Sequence, residues 1–258
     1  MKQKFLLATG VAAVLFFSSC KKDKPGTPDP TPTPNPPSTT KQLKKITKTD
    51  AGVTTVYTLI YDAAKRLTSY KSADNSESIL FTYDGAGNLT GIDQKDHEFK
   101  NKYVYTYANN IPVSGTFKSW QVAGGQPDQL IEDDKLTYTV TNNQVSKIKL
   151  EMEDIELNLL MTYNNGNLTN ITTEGTVLYS ANFTYGTKKP AYPKVTPWVL
   201  DQAGFSLQFA SKNEMLSLAF DFPGTENDTN INVTYTYDDN GYVLTSNDGD
   251  EHTVYEYQ

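Results

Sequence analysis

Two stretches eighty residues apart are near copies, "FTYDGAGNLTGI" at 81–92 and "MTYNNGNLTNI" at 161–171, and the copying sets the architecture. The shared pattern is apolar, Thr, Tyr, Asp or Asn, a turn, then Leu-Thr. It recurs from Tyr61 ("YDAAKRLTSY") and from Tyr237 ("YDDNGYVLTS"), with weaker copies from Tyr107 and Val140 and one from Tyr185 that breaks off. Tyr61 to Tyr83 spans 22 residues, Tyr83 to Tyr107 spans 24, and Tyr163 to Tyr185 spans 22. A period near 22 fits two strands of roughly eight residues and two short turns. Each copy is therefore a hairpin, and consecutive copies make an antiparallel meander.

The turn letters have physical reasons. Asn165-Gly166 is a two-residue hairpin signal, because a type I′ turn needs positive φ at both central residues. In "DGAGN" the Asp84 side chain caps the turn and Gly87 takes the left-handed position. Lys65 occupies the place of Gly87 in the first copy, which predicts a differently built or strained turn.

The strands alternate. Ile155, Leu157, Leu159, Met161 and Tyr163 share one face, against Glu156, Asn158 and Thr162. Ile231, Val233, Tyr235 and Tyr237 form a second such face, and Phe99, Tyr103, Tyr105 and Tyr107 a third. Phe205, Leu207 and Phe209, and then Leu216, Leu218, Phe220 and Phe222, repeat the period of two. That period marks half-buried antiparallel strands. The expectation is an all-β domain, a meander of about 14–16 strands. Rolling it into a closed or nearly closed barrel protects its edges; a two-sheet β-sandwich is the alternative.

The ends of the chain read differently. "MKQKFLLATGVAAVLFFSSC" has lysines, an apolar run too short to span a bilayer, then small residues before Cys20, the single cysteine. Ser18-Ser19-Cys20 resembles the lipobox of bacterial lipoproteins, which implies cleavage after Ser19 and acylation of Cys20. One cysteine leaves no disulfide within the chain. Residues 20–40 are proline-dense and poor in apolar side chains, the composition of a disordered, extended tether. The organisation is thus a signal segment at 1–19, an acylated tether at 20–40 and one domain at 41–258.

"YDGAGNL" at Tyr83–Leu89 matches the YD motif of RHS-type repeats. Residues 41–258 as a whole resemble a set of Bacteroidota lipoproteins of unknown function with a porin-like fold. They share the lipobox, the short tether, YxYD hairpins, the "YGTKKP" interruption and the "YDDNGY" hairpin. The resemblance implies fold and an outer-membrane lipid anchor, on the periplasmic or cell-surface face. Because alternation fits a membrane barrel as well as a water-filled setting, the choice rests on other features. A Tyr-rich core face, a long stalk and a terminal Tyr-Glu-Tyr-Gln favour a barrel that does not span the membrane.

Chemistry is sparse. Of 23 basic and 30 acidic residues, most acids fall in the domain, leaving it about ten charges negative. That sign disfavours nucleic acid and peripheral docking on anionic lipid, leaving the lipid anchor as the expected membrane attachment. His97 and His252 each have acidic neighbours, but adjacent strand residues point to opposite faces, so neither reads as an oriented catalytic base. No G-x-S-x-G elbow and no phosphate-cradling loop occur. The acidic turns at 238–241 and 247–251 are explained by turn geometry rather than by calcium. The expectation is a monomeric, non-enzymatic protein without cofactor or metal. Candidate ligand contacts are Trp120, before the polar loop "QVAGGQPDQ", and Trp198 with Tyr192, in the Pro-rich interruption. Aromatic rings beside amides suit a glycan; the other reading has both Trp residues packed as plugs over the barrel ends. An envelope protein is the alternative partner, and a carboxylate-based hydrolase a further alternative.

Overall fold

The structure is a computed structural model describing residues 41–122, 127–153, 155–175, 178–201 and 205–258. The signal segment, Cys20 and the tether lie outside the described residues. The first strands are β1 (Leu43–Asp50), β2 (Val53–Tyr61), β3 (Leu67–Ser72), β4 (Ser78–Tyr83), β5 (Leu89–Lys95) and β6 (Phe99–Ala108). Then come β7 (Ile111–Gln121), β8 (Gln129–Thr141), β9 (Gln144–Met152), β10 (Ile155–Asn164), β11 (Asn167–Gly175) and β12 (Ser180–Tyr185). A single turn of helix, α1 (Leu207–Ala210), precedes β13 (Met215–Asp221), β14 (Thr229–Asn232), β15 (Thr234–Tyr237), β16 (Val243–Asn247) and β17 (Glu251–Tyr257).

Except between β14 and β15, every strand pairs antiparallel with its sequence neighbour, and β1 also pairs with β17, so the meander returns on itself. Gln42 and Gln258 exchange both backbone hydrogen bonds at that closure. The one seam lies at residues 229–237, where β14 bonds β13 and β15 bonds β16. The result is a nearly closed barrel of seventeen strands among the described residues.

The repeated letters now have physical roles. A register shift, one extra residue in the ladder, falls just before the repeated Tyr in β2, β4, β6, β10, β12 and β15. Such a bulge bends the strand and re-aims the next side chain. The Tyr hydroxyl then donates back to the first residue of an earlier strand: Tyr61 to Leu43 O (2.6 Å), Tyr83 to Leu67 O (2.7 Å) and Tyr107 to Leu89 O (2.8 Å). The Leu of Leu-Thr is buried, as at Leu67, Leu89 and Leu168. The Thr hydroxyl donates to the carbonyl at the bulge, Thr68 to Ile60, Thr90 to Thr82 and Thr169 to Thr162. Tyr, Leu and Thr are one device for closing each hairpin.

The turns follow their chemistry. Asn165 and Gly166 have φ of 51° and 87°. Asp84 Oδ1 accepts from the N–H groups of Ala86 and Asn88, and Gly87 has φ of 90°. Lys65 is held at φ 63° in the same position. A side chain there costs about 1 kcal/mol relative to Gly. Lys65→Gly is therefore expected to raise unfolding free energy by roughly 0.5–1 kcal/mol, read from the urea midpoint; a lower midpoint would show that the Lys side chain contributes more than its backbone costs.

Inward positions are mostly apolar, while the outer wall mixes charged and polar side chains with exposed Val104, Val113, Leu130 and Leu244. Leu157, Leu159, Met161, Tyr103 and Tyr105 are buried, while the wall outside carries ion pairs such as Lys118–Asp133 (2.7 Å), Lys149–Glu156 (2.9 Å) and Lys45–Glu256 (2.5 Å). This polarity is the reverse of a lipid-facing barrel wall. Two expectations need correction. The alternation at Phe205, Leu207 and Phe209 belongs to a helical turn and its approach, not to a strand. Leu216 does not share a face with Leu218 and Phe220: the bulge opposite Tyr185 turns it outward, where it is 37% exposed.

Candidate functional site

The broken repeat at Tyr185 supplies the barrel's filling. After β12 the chain leaves the wall, enters the interior and rejoins it at β13. Gly186 starts the departure because a Cβ there would lie 2.1 Å from Glu214 Oε1. Trp198, Val199 and Leu200 are buried in the common core. Asp201 anchors the return: its two carboxylate oxygens accept from the N–H groups of Phe205 and Ser206, both at 2.6 Å. Leu200 N–H donates to Ser206 Oγ (2.8 Å), and Tyr138 OH on β8 donates to Leu200 O (2.6 Å), tying plug to wall. Phe209 packs edge-on against Phe81 and Tyr192.

This separates the aromatic candidates. Trp198 is 8% exposed and lies within the core. Tyr192 sets its ring edge-on to Tyr70 and Tyr255 inside the barrel, and also borders a groove at the barrel mouth. Trp120 is elsewhere, half-buried on the outer wall near the end of β7. The structure does not bring the three into one site.

Around Trp120 the wall forms a shallow groove of about 600 Å³. Leu80 of β4, Asp93 and Gln94 of β5, and Lys100 and Lys102 of β6 line it with Trp120. Lys100 pairs with Asp128 and Lys102 with Asp93 (3.6 Å), so the polar groups are pre-positioned rather than free-swinging. An aromatic face, one aliphatic neighbour and fixed donors and acceptors suit a polar, ring-shaped ligand.

Inside, at the same end of the barrel, Glu132 and Asp134 project from β8 two residues apart. Asp134 is 1% exposed, and its carboxyl is pushed up to about 8, first by burial, then by the charge and hydrogen bond of Glu132. Burial raises Glu132 as well. Burial and the neighbouring carboxylate both favour the protonated form of the pair, because two adjacent carboxylates cannot both ionise cheaply. Sequence reasoning passed over these residues, although Leu136 and Tyr138, next on the same face, place them inward by period alone. His97 and His252 are exposed. Asp238 Oδ1 caps its own turn, accepting from Asn240 and Tyr242 N–H. Among the described residues no cluster of three His, Cys, Asp or Glu is placed to hold a metal.

Against known proteins, the RHS repeat family matches residues 61–97, the end of β2 through the turn after β5. Among solved structures the chain is similar to a porin-like protein from Bacteroides vulgatus, at 13% identity over 84% of this chain and 98% of that one, with a TM-score of 0.54. A porin-like protein from Bacteroides uniformis aligns at 14% identity over 84% and 98%, with a TM-score of 0.48. No curated protein matches the sequence. The chain thus builds RHS-type hairpins into a barrel of the fold seen in the porin-like protein of B. vulgatus.

Proposed function

We propose that this chain is a non-enzymatic lipoprotein of the bacterial envelope, anchored through Cys20, that captures a glycan in the Trp120 groove on its outer wall. The observation that carries the reading is Trp120 itself, a large aromatic left half-exposed in a groove where paired Lys and Asp side chains flank it and Leu80. A ring face there stacks on a sugar while Gln94 and the charged groups take its hydroxyls. The porin-like description of the structural relatives supports an envelope location. The hydrolase alternative has less behind it. Glycosidase carboxylates stand roughly 5–9.5 Å apart across a cleft, whereas Glu132 and Asp134 bond each other and Asp134 is buried.

An assembly role is the second reading, favoured by Leu130, which faces Trp120 across the ladder and is 48% exposed. One titration separates the two. In the Trp198→Phe variant Trp120 is the sole indole, and a panel of envelope and dietary polysaccharides is expected to shift its emission saturably. Trp120→Ala is expected to weaken that binding at least about tenfold by calorimetry, or about 1.4 kcal/mol. A folded, monomeric protein silent across the panel would contradict glycan capture and leave the assembly reading.

A further inference from the structure

The barrel has two chemically different ends. Because strands alternate in direction, every YD-type turn falls at one end, with both chain ends and the way into the plug. Contacts between turns confirm the clustering: Asn88 Nδ2 donates to Asn110 Oδ1 (2.9 Å), and Lys212 N–H donates to Asn167 Oδ1 (2.8 Å). Opposite lie the turns bearing Asp50, Asp74, Asp96, Glu98, Glu226 and Asp250.

At the YD end, the mouth, a groove of about 510 Å³ is bordered by Lys41, Lys65, Lys189, Tyr242 and Tyr257. Lys41 pairs with Asp238 at 2.5 Å. Lys65 and Lys189 have no acidic partner among the described residues, nor do Lys188 and Lys212 nearby. The Lys189 ammonium stands 4.3 Å from the Tyr242 ring centre, held in place by the aromatic face. The Tyr257 hydroxyl is buried and finds no hydrogen-bond partner among the described residues. Lys65 keeps its left-handed backbone where another copy uses Gly, so a basic side chain is retained at the rim despite its conformational cost.

We infer that this mouth docks on a membrane surface of anionic, phosphate-bearing lipid. The domain's net charge hides this, because most of its acids lie towards the far end, while Lys65, Lys188, Lys189 and Lys212, none in an ion pair among the described residues, gather at the mouth beside the turn-capping Asp62, Asp84 and Asp238. Lysines held at a surface are drawn to anionic headgroups within a Debye length, while the acidic end is repelled. The two effects orient the barrel in one sense, mouth down. Lys41, the first described residue, itself borders the groove, so the tether expected from the sequence would join the domain on the docking side. Trp120, on the wall towards the opposite end, then faces away from the membrane. The inference does not depend on what Trp120 binds.

The test uses the acylated full chain released in detergent and, beside it, residues 41–258, within which the barrel closes through the Gln42–Gln258 pair, once circular dichroism and a cooperative urea transition show that they are folded. Cosedimentation with phosphatidylglycerol-containing vesicles and with pure phosphatidylcholine vesicles is measured in low salt and in high salt. Binding to the anionic vesicles alone, released by salt, is expected. Lys65→Glu with Lys189→Glu is expected to cut it at least about tenfold, and Lys135→Glu, on the wall outside the mouth, to leave it unchanged. Lys65→Gln with Lys212→Gln is a milder pair that spares the Tyr242 contact and is expected to cut binding several-fold. Absence of binding to anionic vesicles, or binding indifferent to both pairs, overturns the inference. So does a mouth that saturates with inorganic phosphate while vesicles stay unbound.

Discussion

Phe209→Ala is expected to lower the free energy of unfolding by about 3–5 kcal/mol. Phe209 is 2% exposed and sits where plug meets wall, edge-on to Phe81 and Tyr192 and tilted against Phe205. Neighbouring backbone cannot collapse into the vacancy, because Val195 N–H is bonded to Phe209 O and Ser211 N–H to Leu207 O. The cavity should therefore persist and its cost stay high. Phe222→Ala, at the half-buried end of β13, is the comparison and should cost far less. Urea denaturation of both checks the prediction. A loss under about 1 kcal/mol for Phe209→Ala would mean that the barrel stands without its filling.

Asp134 gives the second large effect, and its sign is opposite to the usual one for a carboxylate. The unfolded value is 3.8 and the folded carboxyl is pushed up to about 8. Folding thus favours the protonated acid. Its contribution is fully present below about pH 4 and is lost as pH rises towards 8. For a coupled pair this amounts to roughly 2–4 kcal/mol across that window. Asp62, Asp84 and Asp238, which accept turn hydrogen bonds, are lowered instead, so their contributions hold at neutral pH and fall away only in acid. Asp134→Asn mimics the protonated form. It is expected to flatten stability between pH 5 and 8 and to stabilise the protein at pH 8, as followed by thermal unfolding. A variant that keeps the wild-type slope would assign that slope to other groups.

The hairpins were legible because their letters are local physics. Asn165-Gly166 and Gly87 announce positive φ, and Lys65 announces its strain, without any tertiary information. The inward faces of β6 and β10 followed from period two. What failed to read was what the tertiary structure alone decides. Phe205, Leu207 and Phe209 satisfy a strand's alternation, yet Phe205 and Phe209 are also one helical turn apart, and a run this short fits both. Leu216 changed face through the bulge opposite Tyr185, where Met215-Leu216 stands in place of the Leu-Thr pair that marks it elsewhere. The interruption after Tyr185 was visible as a break, but only the closed wall around it shows that it turns inward and takes Trp198 along. Trp120 and Trp198 looked alike in sequence because each borders a break in the repeat. Their fates differ because Trp120 ends a wall strand and faces outward, whereas Trp198 lies on the segment that turns into the interior. Net charge misled in a similar way, since a sum cannot show that four lysines without ion pairs gather at the mouth while most acids lie towards the other end.

The central claim is a barrel filled by its own chain, leaving one indole inside and one on the wall. Acrylamide quenching of the Trp120→Phe variant, in which Trp198 is the only indole, tests this most directly. The account predicts blue-shifted emission that resists the quencher until the protein unfolds, while the Trp198→Phe variant is quenched readily. Trp198 quenched as freely in the folded protein as in urea would place the interruption outside the barrel and contradict the account.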